Sequence, residues 1–271
     1  MSEDQPHLDE EEQREVGERS PPTAKVVHAA VVQQGEDELD RPMASLFWSG
    51  VAAGFAIMAS VWAEAALRLH VPAELWRDAV AGLGYSLGFL IVILGRMQLF
   101  TEHTMVAILP LARAPNRRNF SRVARLWSAV LAGNLAGVAA ISALAIYGHV
   151  QSQELTGAML DLSSHLLAKS PTELLLQGIP AGFLIASVAW IRSAADDSSF
   201  WIVLALTYPI ALCGFTHVVA GGAEGFLLLW SGGAGTGWLV GTFLIPALAG
   251  NIIGGTGLFA LLAHAQVKAE I

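Results

Sequence analysis

One cysteine, Cys213, in 271 residues leaves no partner for an internal disulfide and no CxxC pair for a metal site. Charge is also scarce. Asp, Glu, Lys and Arg make up 14% of the chain against 54% hydrophobic residues, a balance that a soluble domain of this size would struggle to keep in solution. The chain reads as an all-α integral membrane protein. Residues 1–42 lack aromatic side chains altogether and carry 12 acidic against 4 basic residues, which equals the net charge of −8 for the whole chain. Such a segment cannot bury enough apolar surface to fold alone. It also lacks a positively charged start leading into an apolar core, so it is not expected to be a cleaved signal peptide. Three segments follow: an acidic, largely disordered cytoplasmic tail over 1–43, a transmembrane transporter domain over 44–265 and a short cytoplasmic end over 266–271. Within the tail, Val26 to Gln34 can form a short helix at the membrane surface or at a pore mouth.

Hydropathy predicts six spans: Leu46–Leu67, one beginning at Ala79–Leu94, Leu126–Tyr147, Glu173–Ile191, Phe200–Trp230 and Trp238–His264. Between the second and third lie Arg113, Arg117, Arg118, Arg122 and Arg125. By the positive-inside rule this segment is cytoplasmic, and six spans then put both termini inside, in a multi-pass cytoplasmic-membrane protein.

Two of the spans carry interruptions. The fifth apolar run holds Gly214, Thr216, His217, Gly221 and Gly222 at its centre, and the second meets Arg96, Gln98, Thr101, Glu102 and His103 before apolar character resumes. Non-helical backbone at membrane depth survives only when packed in protein or lining a wet cavity, so spans two and five are expected to be broken helices around a permeation site. An internal repeat supports this. Gly133-Asn134-Leu-Ala-Gly137 recurs as Gly250-Asn251-Ile-Ile-Gly254, and Phe100-Thr101 recurs as Phe215-Thr216, at separations of 117 and 115. Three spans per half require the two halves to be inverted, which brings the breaks face to face.

These residues resemble the formate/nitrite transporter family: Gly88 and Leu99-Phe100-Thr101, Gly133-Asn134, Ala189-Trp190, Cys213-Gly214-Phe215-Thr216-His217, and Gly250-Asn251-Ile-Ile-Gly254-Gly255, in order along Ala44 to His264. The resemblance implies an aquaporin-like protomer and a homopentamer with one pore per subunit. It also implies passage of small monovalent anions such as formate, nitrite or hydrosulfide. His217 matches the central pore histidine, Thr101 the break of span two, and Tyr85, Phe89, Leu99 and Ile210 the apolar constrictions on either side. The chain departs from the family at Gly182 and Gly221, where the family has asparagines, and at Arg96, Gln98, Glu102 and His103. It therefore resembles an outlying branch.

For His217 the functional reading is an imidazole that donates a hydrogen bond or a proton to a weak-acid anion between apolar gates; the plainer one is a histidine that only holds the loop. Arg96 and Glu102 are expected to pair with each other, since either charge alone would be costly in a dry site; the sharper reading has Arg96 supply fixed positive potential for an anion in place of the asparagine replaced by Gly182. His103 is expected to be solvated, Lys169 to be either an ordinary solvated lysine or an outer charge that attracts anions by its long-range field, Cys213 to be buried, and Glu224 to be a vestibule charge or an intersubunit contact. The preferred function is a channel or proton-coupled transporter, not an enzyme, with a small anion, alone or together with a proton, and the bilayer as partners and no cofactor, metal or nucleic acid. A water or small neutral solute channel is the alternative, weakened by the absence of Asn-Pro-Ala. An intramembrane hydrolase would need Cys213 or Ser231 within reach of His217.

Overall fold

The computed structural model describes residues 9–12, 14 and 20–270, and all regular secondary structure among them is helical. We number the helices α1 (Ala24–Asp40), α2 (Met43–His70), α3 (Arg77–Leu94), α4 (Phe100–Val106), α5 (Ile108–Arg113) and α6 (Arg117–Tyr147). They continue as α7 (Gln153–Ser164), α8 (Pro171–Arg192), α9 (Ser199–Leu212), α10 (Ala220–Trp230) and α11 (Trp238–Val267), the last containing two π-helical stretches. Five of the described helices, α2, α3, α6, α8 and α11, are long and apolar enough to cross a membrane. The fifth predicted span is divided between α9, of 14 residues, and α10, of 11.

The starts of these helices follow from capping chemistry. Asn116 accepts from the Asn119 amide at 2.9 Å to begin α6, and Ser170 with Glu173 forms a capping box ahead of Pro171 at the start of α8. Small residues then set the packing. A methyl group on Gly54 would meet the Asn134 carbonyl, and one on Gly133 that of Phe47, so α2 and α6 touch backbone to backbone. Gly178 and Gly182 on α8 meet Gly250 and Asn251 on α11 in the same manner. Helices in lipid associate through such close contact because lipid tails supply no hydrophobic drive between them.

Both interrupted spans end their first half in the same turn. The amides of Gly95 and Cys213 donate to Ile91 and Pro209, both at 2.9 Å, and those of Met97 and Phe215 donate back to Val92 and Ile210 at 2.9 and 2.8 Å. The residue between has positive φ, 55° at Arg96 and 65° at Gly214. This is the glycine-favoured helix stop. The corresponding positions (95 to 213, 96 to 214, 97 to 215) lie 118 apart, which corrects the Phe100-Thr101 to Phe215-Thr216 register. Phe100 corresponds to Val218 and Leu99 to His217, and the Phe-Thr likeness is a local coincidence.

The acidic segment is more ordered than expected. Helix α1 runs well past Val26 to Gln34 and buries Val27, His28, Val31, Val32 and Leu39. Arg122 holds it through Glu36 at 2.8 Å and Asp40 at 2.7 Å, and Arg125 donates to the Leu39 carbonyl at 2.5 Å. The arginine-rich segment thus receives charges from the tail that hydropathy alone assigns to solvent. Residues 1–8, 13 and 15–19 of the expected disordered tail lie outside the described residues.

Candidate functional site

Each break is suspended from one asparagine. The Oδ1 of Asn134 accepts from the Phe100 amide at 2.9 Å, and its Nδ2 donates to the carbonyls of Gly50 at 2.9 Å and Gln98 at 2.8 Å. Asn251 repeats the pattern, accepting from the Val218 amide and donating to the Gly178 and Thr216 carbonyls, all at 2.8 Å. Both side chains are fully buried. An amide group has one acceptor and two donor hydrogens, so three bonds satisfy it while it serves backbone groups that the missing helical turn leaves without partners.

The two breaks meet at His217. Its Nδ1 accepts from the Ala220 amide at 3.1 Å, which puts the proton of the neutral ring on Nε2. That nitrogen lies 2.7 Å from Thr101 Oγ1 and donates to it. The Thr101 hydroxyl hydrogen is left to point elsewhere. Phe89 presents its ring edge-on to the imidazole at 5.0 Å, and Tyr85 follows Phe89 at 5.2 Å. His217, Thr101, Phe89 and Leu99 are all buried.

Cavities lie on either side of this plug. The one away from the arginine-rich segment measures about 380 Å³ and is lined by Tyr85, Ile210, Cys213 and Phe215 together with Glu64, Arg68, Asp78, His165 and Glu224. Arg68 approaches Asp78 at 3.3 Å and Glu64 at 3.8 Å, and Glu224 Oε2 lies 3.7 Å from His165 Nδ1. Lys169 donates to the carbonyl of Gly214 at 2.9 Å, which closes the second turn from outside. Burial holds the Lys169 ammonium and the His165 imidazole below their ordinary ranges. On the other side, two adjoining cavities of about 250 and 170 Å³ share Arg96, Glu102, Arg192 and Gln34. His217 lines none of the three.

Several residues stand differently from what the sequence suggests. The ion pair of Glu102 runs to Arg192, 3.7 Å away, so the expected Arg96–Glu102 pair is instead a cluster in which Arg96 shares the cavity. Arg192 looks like a loop charge at the end of a span. Only the fold, which turns it inward with its side chain 8% exposed, reveals it. His103 is buried, not solvated, and its carbonyl accepts from Trp127 Nε1 at 3.1 Å. Lys169 is spent on the break, and Cys213 is exposed to the 380 Å³ cavity. Thr216 is buried beside Gln177, with its carbonyl bound by Asn251. At Gly182 a side chain would run into the backbone of Asn251, and at Gly221 it would meet Phe243 at 2.7 Å. Neither position opens toward His217, so these departures are packing contacts. Both ring nitrogens of His217 are engaged by Thr101 and Ala220, which leaves neither Cys213 nor Ser231 in a nucleophile–base pair with it.

The sequence profile described as Formate/nitrite transporter matches residues 25–265. Inner membrane protein YfdC of Escherichia coli K12 is 34% identical over 254 residues, covering 94% of this chain and 82% of that protein. The formate channel FocA of Haemophilus influenzae is 26% identical over 189 residues, covering 66% of this chain and 64% of that one. Among solved structures, a pentameric formate channel with formate bound superposes with a TM-score of 0.73 at 18% identity, covering 84% of this chain and 98% of the other. With the profile spanning nearly all of the described helices, the chain belongs to the formate/nitrite transporter family.

Proposed function

We propose that this protein passes small monovalent weak-acid anions, of the formate, nitrite or hydrosulfide kind, through a pore centred on His217. The observation that carries the reading is the Nε2–H of His217 donating to Thr101 Oγ1 at 2.7 Å, at the meeting point of two broken helices. Taking a bare anion out of water is expensive unless hydrogen-bond donors replace the lost solvent. A threonine whose oxygen already accepts from an imidazole is polarised to donate its own hydrogen, and Phe89 beside it keeps water scarce.

The locked tautomer favours hydrogen-bond donation over proton release. For the ring to take up a second proton, Nδ1 must give up the Ala220 amide. Any proton that accompanies the anion therefore arrives on the anion itself, as the neutral acid. Arg96 and Arg192 supply positive potential at the mouth beside the arginine-rich segment, which we place in the cytoplasm with both termini. The assembly is a homopentamer with a pore in each subunit.

Reconstitution into liposomes tests this. The wild type should take up formate or nitrite, and its native mass in lipid should correspond to five subunits. Thr101→Ser should keep the flux, while Thr101→Val and His217→Asn should lower it by about tenfold or more through loss of a buried donor. Water flux without anion flux, or full anion flux in Thr101→Val, would overturn the reading.

A further inference from the structure

A cavity of about 440 Å³ opens away from the pore cavities, lined by Lys25, His28, Val32, Arg113, His264 and Lys268. Three separate parts of the chain build it: α1, the end of α5 and the end of α11. Every ionisable side chain that lines it is a base. Lys25 Nζ donates to the main-chain carbonyl of Glu270 at 2.6 Å, and Arg113 and Lys268 have no carboxylate within ion-pair distance among the described residues. His28 is buried, edge-on to Trp190 at 6.4 Å, and its Nε2 lies 3.1 Å from Nδ1 of His264. Burial first, then His264 and Arg113, hold the His28 imidazole below its ordinary range. Among the described residues, like charge is gathered here with no ion-paired carboxylate lining the cavity.

An occupant must therefore be anionic, rich in acceptor oxygens and small enough for the cavity. A phosphoryl group meets all three demands, because its oxygens match the guanidinium fork of Arg113 and the ammonium groups beside it. The adjoining turn of α11 exposes Leu261 and Leu262 by 50% and 62% in the single protomer, an apolar rim of the kind an acyl chain can cover. Basic pockets between helices at the membrane face are suited to acidic lipid headgroups. We propose that this cavity is a phosphoryl-binding site that fastens α1 to the ends of α5 and α11. The site shares no residue with the His217 pathway and does not depend on what that pathway carries.

Thermal unfolding of the full chain in detergent tests the site. One arm adds inorganic phosphate, with sodium chloride at matched ionic strength as control. The other adds short-chain phosphatidylglycerol, with an uncharged glycolipid of the same chain length as control. A saturable rise in the midpoint with phosphate assigns a free phosphate; a rise with phosphatidylglycerol alone assigns a lipid headgroup. In either arm the exposed pair Arg113→Gln and Lys268→Gln, made together, should weaken apparent binding about tenfold or more. The proposal is overturned if neither ligand exceeds its control, or if the double variant responds with unchanged affinity.

Discussion

Arg96 and Gly214 occupy the same position in two equivalent helix stops, yet only one of them is a glycine. A side chain with positive φ costs roughly 1–2 kcal/mol through contact of Cβ with the following carbonyl. The φ of 55° at Arg96 therefore holds strain that its counterpart avoids. Strain of this kind collects where a side chain is wanted for another purpose, and the guanidinium lines the cavity that holds Glu102 and Arg192. Arg96→Gly and Arg96→Ala both remove that charge, but only the glycine relieves the backbone. The glycine variant should be the more stable of the two by about 1 kcal/mol in thermal unfolding, the reverse of the order in a helix interior. Equal stabilities would mean that the turn relaxes freely.

At the scale of helices and turns, both interruptions were legible in the sequence, because Gly214, His217, Arg96 and Glu102 do not belong in a continuous apolar helix. The register between them was not. Matching Phe100-Thr101 to Phe215-Thr216 compares side chains, whereas the repeat conserves backbone: the paired turns and the asparagines that hold them. Arg192 was equally hidden, since a charge at the end of a span looks solvated until the neighbouring break turns toward it. The clamp itself makes a firm prediction. Asn134→Leu leaves the Phe100 amide and the Gly50 and Gln98 carbonyls without their partner, at about 1–3 kcal/mol for each buried group. Folded protein recovered after extraction should fall sharply. Asn134→Asp keeps the acceptor but turns a carboxylate oxygen toward the Gly50 and Gln98 carbonyls, so it should lose at least as much.

Across the whole molecule, stability should depend on pH through two histidines that lie outside the membrane-crossing helices. His28 and His165 both have folded values lowered from 6.5, mainly by burial. A lowered value means that the folded state binds fewer protons than the unfolded chain in the window just below 6.5. The stabilisation from keeping these rings neutral is present above 6.5 and is lost as pH falls through the lowered values. These two rings should therefore pull the unfolding midpoint down on acidification, and His28→Gln should remove its share of that slope relative to the wild type. A slope between about pH 7 and about 5 that is the same in His28→Gln as in the wild type would contradict the burial of the His28 ring.

The two matched turns also govern how this protein can tolerate change in chain length. Each asparagine grips backbone on both sides of its gap, at Gln98 and Phe100 in one half and at Thr216 and Val218 in the other. One added residue displaces the chain by about 3.3–3.8 Å, roughly a full hydrogen-bond length. The grip then fails whatever side chain is inserted. Substitutions, by contrast, leave it untouched, as the pairs Arg96 with Gly214 and Leu99 with His217 already illustrate within a single chain. A library of single-residue insertions and substitutions across 95–99 and 213–217, scored for folded protein, should reject nearly every insertion and accept many exchanges. Pores built this way diversify by exchanging side chains on a skeleton whose length is fixed.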